Sequence, residues 1–157
     1  MNLEKIVSLL GRSERDEEVK AMLSALEAKQ PLRRPKRGDD TTYVTELPES
    51  EHYRMEFSFH TADSIESYSQ EYLEGELIFH TVFVYPSEKG IADDVSFPLG
   101  ISAQADCAGQ VKRLGEPEDF DSDLMLYRWS LGGLKVFIQY KDEKTIKDIS
   151  YGFSLLG

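Results

Sequence analysis

The spacing of apolar residues changes period several times along the chain, and each change marks an element. Leu3, Ile6, Val7 and Leu10 recur at helical intervals, with Asn2 in place to cap a first helix over residues 3–10. Gly11 then supplies the left-handed stop that a helix C-terminus favours. A second helix opens at Ser13 or Asp16 and runs to about Ala28, with Val19, Met22, Leu23 and Leu26 as its apolar stripe. Glu14, Asp16, Glu17 and Glu18 crowd its first turns, where the helix dipole favours negative charge. Residues 30–38 break the period with Pro31, Pro35, Gly38 and the cations Arg33, Arg34, Lys36 and Arg37, which predicts an extended surface connection.

Alternation by twos then takes over. Residues 41–47 are β-branched and aromatic, and Pro48 ends them. In residues 53–59, Tyr53, Met55, Phe57 and Phe59 share one face while Arg54, Glu56 and Ser58 share the other, the pattern of a half-buried antiparallel strand. Residues 61–75 show no clean period and read as a loop or an edge strand. Residues 77–85 are apolar on both parities, as in a central strand, and Pro86 stops them. After a connection over 87–94, Ser102 is placed to cap a helix over 103–114 with Cys107, Val111 and Leu114 facing inward. Gly115-Glu116-Pro117 ends that helix, and the acidic residues 118–123 read as a loop. Gly132-Gly133 between two alternating runs is a hairpin signal, because primed turns need positive φ. With residues 145–155 it predicts a three-stranded antiparallel meander.

The order of elements repeats. Leu10-Gly11-Arg12-Ser13 returns as Leu99-Gly100-Ile101-Ser102, 89 positions later, each time ahead of a helix and strands. Residues 53–59 correspond to 134–140, and 77–85 to 146–154. The expected fold is α+β: two pseudo-repeated helix-plus-antiparallel-sheet units, residues 1–86 and 95–157, in a single compact domain with the helices packed on one face of the sheet.

The frame Leu99-Gly100-Ile101-Ser102, helix, Leu114-Gly115-Glu116-Pro117, then Tyr127-Arg128-Trp129, resembles the helix-plus-meander unit of β-lactamase-inhibitory proteins and of the outer-membrane assembly lipoprotein BamE. The resemblance covers residues 97–155 and, more loosely, 10–85. It implies a tandem unit that binds another protein with one face of the combined sheet. The chain departs from those periplasmic families in having no secretion signal, no lipidation cysteine near its start and no paired cysteines. An acidic, cytoplasmic tandem version looks like an immunity protein of a bacterial contact-dependent toxin system.

Composition bounds what such a fold does. At 40% hydrophobic and 11% aromatic residues, the chain has enough apolar surface to offset the entropy of ordering. No apolar run approaches the ~20 residues of a membrane span. With the lone Cys107, this predicts a bacterial cytoplasmic location and no membrane partner. The net charge is −11, and residues 38–94 alone hold fourteen Asp and Glu against Arg54 and Lys89. Such a surface repels nucleic-acid backbones and accelerates encounter with a basic protein.

Candidate chemistry is sparse. His52, His60 and His80 lack the spacing of a helical metal site; the one candidate metal set is His60 and His80 with Asp63 or Glu66. Cys107 lies near a helix N-terminus but on its apolar face, as a packed thiol would. Ser13 and Ser102 read as helix caps, without a nucleophile elbow. No phosphate-cradling glycine loop is present, and the many carboxylates make chance pairs common. The expectation is therefore no catalysis, no cofactor and no metal. Tyrosine among carboxylates suits a face for a cationic partner, since rings anchor and acids steer. The expected contacts are Glu66, Tyr68, Glu71, Tyr72, Glu74, Asp119, Asp121 and Asp123. The expected function is a protein-binding inhibitor, an immunity protein that occludes a basic toxin domain. The alternatives are a cytoplasmic adaptor for an endogenous protein and a small hydrolase or metal-dependent enzyme.

Overall fold

The computed structural model of the chain describes residues 2–50, 52–64, 72–73, 75–87 and 96–154. Helix α1 (Leu3–Ser8) begins where Asn2 Oδ1 accepts the Lys5 amide at 2.8 Å. Helix α2 (Glu17–Ala25) is capped by Asp16, whose carboxylate accepts the Glu18 and Val19 amides. The cap is Asp16; Ser13 lies outside the helix, where its hydroxyl donates to the buried Glu76 carboxylate and its oxygen accepts the Arg15 amide at 3.0 Å. Strands β1 (Thr41–Val44), β2 (Tyr53–Thr61) and β3 (Leu77–Pro86) follow. β1 stops three residues short of the predicted strand end at 47. Two-residue strands β4 (Ser96–Phe97) and β5 (Ile101–Ser102) flank a 3-10 turn at Pro98–Gly100.

Helix α3 (Cys107–Leu114) starts four residues later than a cap at Ser102 would have it. Asp106, not Ser102, is its cap, accepting the Gly109 amide at 2.7 Å. Ser102 belongs to β5, and its backbone N–H and C=O are both bound by the side chain of Gln110. The acidic stretch predicted as a loop contains a strand, β6 (Asp119–Asp121). It precedes the expected meander, β7 (Leu126–Leu131), β8 (Leu134–Tyr140) and β9 (Ile146–Phe153). Gly132 and Gly133 make the two-residue turn of its first hairpin, with φ of 56° and 80°.

The long strands and β6 form one antiparallel seven-stranded sheet in the order β1-β2-β3-β9-β8-β7-β6. β3, apolar on both parities, is an interior strand as its composition requires. Beside its first residues, where β9 does not reach, the α1–α2 linker takes up the hydrogen bonds. Gly11 N donates to Phe79 O at 2.8 Å, Phe79 N to Arg12 O at 2.9 Å and Glu14 N to Leu77 O at 2.8 Å. Gly11 is needed twice over: its φ is +89°, and a Cβ there would meet the Phe153 ring at 2.5 Å.

One core runs through the molecule. The register puts Met55, Phe57, Val82, Val84, Ile149, Tyr151, Val136, Ile138 and Trp129 on one face of the sheet. They share a buried cluster with Ile6, Leu9, Val19, Met22 and Leu23 of the N-terminal helices. Its few polar groups are bonded: Tyr151 donates to Pro98 O at 3.0 Å, and the Trp129 indole to Gly115 O at 2.9 Å. No helix of the described residues is long and apolar enough to cross a membrane.

Candidate functional site

The other face of the sheet carries residues that lie outside that core cluster. Its central row crosses six strands: Glu56, Phe83, Ser150, Phe137, Arg128 and Asp119, each paired in register with the next. A second row holds Tyr43, Ser58, Thr81, Gly152, Lys135 and Ser130. A third contains Arg54 opposite Tyr85, and Asp148, Gln139, Leu126 and Asp121 beyond.

Along the middle strand β9 this face bears only Asp148, Ser150 and Gly152. Larger side chains stand on either side: Thr81, Phe83 and Tyr85 from β3, and Lys135, Phe137 and Gln139 from β8. Small residues between large ones leave a shallow trough along β9, because alternate side chains stand roughly perpendicular to the sheet. Phe83 and Phe137 are half-buried on its two banks.

Asp148 gives the trough its electrostatic character. Its carboxylate makes no hydrogen bond or ion pair among the described residues, and desolvation raises its pKa above the ordinary carboxylate value, against the opposing pull of Lys147. A partly desolvated carboxylate without a partner favours an incoming cation. Nearby, the Arg54 guanidinium lies 4.2 Å over the Tyr85 ring and 3.0 Å from Glu56 Oε1. Arg128 is shared loosely between Glu118 at 3.7 Å and Asp119 at 3.9 Å, and Lys135 holds Glu118 at 3.1 Å.

At one end of the face, His60 and His80 stack with ring centroids 3.8 Å apart. The cause is a β-bulge: Ser58 pairs with Thr81 and Phe59 with Phe79, which leaves His80 as the extra residue. Burial and the neighbouring imidazole bring the His80 pKa down to about 4, with Asp40 pulling the other way. His60 is lowered as well, chiefly by burial. Among the described residues, no group of three or more His, Cys, Asp and Glu side chains is placed to hold a metal ion. Cys107 is half-buried beside Tyr127, whose own pKa rises to about 12 mainly by desolvation.

Of the expected contact residues, Asp119 and Asp121 lie on this face, on the edge strand β6. Asp123 is exposed in the following turn, where Asp121 Oδ1 accepts its amide at 3.0 Å. Tyr72 is turned inward instead, its hydroxyl donating to Gly11 O; the ring braces the α1–α2 linker. Glu66, Tyr68, Glu71 and Glu74 lie outside the described residues. The basic segment runs beside β1, where Thr42 Oγ1 donates to Arg33 O at 2.6 Å and Arg34 pairs with Glu14. Sequence reasoning missed Asp148 and the trough. The signal was available as the small residues Ser150 and Gly152 on one parity of an otherwise bulky strand.

Compared with protein-family models, curated proteins and solved structures, the chain matches none.

Proposed function

We propose that this protein acts by occupying a basic partner protein, as an immunity protein occupies its toxin, and that the trough along β9 receives a cationic side chain of that partner. The observation that carries this reading is Asp148: a partly desolvated carboxylate that makes no hydrogen bond or ion pair among the described residues, next along β9 to Ser150 with its Phe83 and Phe137 neighbours, on a broad β surface. Aromatic anchors around a central charged contact are the anatomy of a protein-binding hot spot. The acidic excess of the chain, −11, steers a basic partner toward it.

The strand order supports the pseudo-repeat on which the inhibitor reading was built. β2 and β3 correspond to β8 and β9, and the sheet runs β2-β3-β9-β8, so equivalent strands stand in mirrored order about the β3–β9 seam. The buried residues of α1 and α2 join the core on the Tyr151 side, which supports helices on one face and a binding surface on the other. Under this reading the protein blocks and does not transform its partner, and it works where the toxin works, in the bacterial cytoplasm.

Co-expression tests the proposal. The cytotoxic domain encoded immediately upstream of this chain's gene is induced in cells with and without the protein. Wild type is expected to restore growth, and Asp148→Asn and Phe137→Ala to lose protection while still accumulating. Absence of any such upstream domain, or full protection by both variants, contradicts the proposal.

A further inference from the structure

The end of the sheet nearest Pro86 holds a cavity whose charge is opposite to that of the chain as a whole. β3 and β9 pair only from Thr81 to Val84. Beyond Val84, β3 continues against β2 as far as Tyr53↔Pro86, while β9 continues against β8 as far as Tyr140↔Ile146. The two strands therefore part, and a cavity of about 470 Å³ opens at the gap. Its lining includes Arg54, Lys141 and Lys147, with Glu49 as its acid, and the side chains of Tyr53, Tyr85 and Ser50.

Three separate backbone features fix this lining. The Ser50 hydroxyl and amide close a turn on Tyr53 O at 2.9 and 3.0 Å, which sets the entry to β2. Ser87 N donates to His52 O at 2.8 Å, which fixes the exit from β3. The β8–β9 turn is held by Asp142, whose carboxylate accepts the Lys144 and Thr145 amides at 2.9 Å each; Lys141 N donates to Thr145 O at 2.8 Å. Lys141 and Lys147 flank that turn, and neither ammonium makes an ion pair among the described residues. Arg54, by contrast, is paired with Glu56 at 3.0 Å, so the free positive charge of the cavity comes from the two lysines.

We infer that this cavity binds a small organic phosphate. Two ammonium groups, beside the guanidinium donors of Arg54 that Glu56 leaves free, match the charge and the several acceptor oxygens of a phosphoryl group. The volume lies within the range of small-molecule pockets and leaves room beside the phosphoryl group for an organic remainder against the Tyr53 and Tyr85 rings. The cavity adjoins the trough: Asp148 does not line it, but Arg54 and Tyr85 share the row of Asp148, and Lys147 precedes it in the chain.

Inorganic pyrophosphate is the probe, titrated into the full chain at constant ionic strength and followed by calorimetry and by amide chemical shifts. Millimolar or tighter binding is expected, with shifts concentrated at Ser50, Tyr85, Ser87, Lys141 and Lys147. The Lys141→Gln/Lys147→Gln double variant is expected to weaken it about tenfold or more, the loss of two charge-assisted contacts. Absence of binding, shifts centred elsewhere, or a smaller loss in the folded variant each overturn the inference. Should the variant fail to fold, the wild-type shift map decides alone.

Discussion

His80 and Asp148 are titrating residues whose environments make opposite demands on the fold. The His80 pKa is about 4 in the folded chain and about 6.5 when unfolded, so the unfolded state binds more protons between those values. Stability is therefore full above about pH 6.5 and is lost as the pH falls toward 4. His80→Gln is expected to flatten that acid limb in urea titrations followed from pH 7 to pH 4; an unchanged limb would remove His80 from the account. Asp148 has the reverse sign, because its raised pKa makes the charged form a burden at neutral pH. Asp148→Asn is expected to raise the melting temperature slightly at pH 7, the gain being modest because the group is partly solvated. A lower melting temperature would show that the carboxylate serves the fold. Legibility at this scale followed hydrophobicity. Val19, Met22, Phe57 and Ile138 were readable as core. Gln110 was not, because a fully buried glutamine that ties both backbone groups of Ser102 looks in sequence like a solvent-facing residue.

Elements were legible where local chemistry and tertiary demand agreed. The Gly132-Gly133 hairpin, the Asn2 cap and the interior strand β3 all follow from propensities that the fold does not oppose. They diverged where a distant group competed. Ser13 is tied to the distant Glu76 and turns the chain at Arg15 ahead of α2, and α3 is capped by Asp106 because Ser102 is drawn into β5. β6 was hidden by its charge: an acidic strand reads as a loop, yet carboxylates on an edge strand discourage pairing with another chain. The α1–α2 linker gives the sharpest test of the packing. Gly11→Ala places a Cβ against Phe153 at positive φ and is expected to cost about 3 kcal/mol, read as a lower denaturation midpoint. Gly133→Ala, where φ is +80° but nothing lies within 4 Å, is expected to cost about 1 kcal/mol. Equal losses would mean that the Phe153 contact carries no weight.

For the whole molecule, the sheet separates two jobs. One face builds the core with the N-terminal helices, and the proposed binding face opposite it keeps aromatic and charged groups in rows across β2 to β6. The α+β class and the antiparallel meander were readable from period and turn signals. The strand order was not, since it depends on β3 meeting β9 across more than sixty residues of chain. The trough exists only because of that seam, so no local window contains it. The central claim is that the protein occupies a basic partner through Asp148. The most direct measurement is the dissociation constant for the upstream-encoded cytotoxic domain, determined by calorimetry for wild type and for Asp148→Asn. The account predicts a one-to-one complex that the variant weakens by about tenfold or more while remaining folded. Equal affinity for both proteins would contradict it.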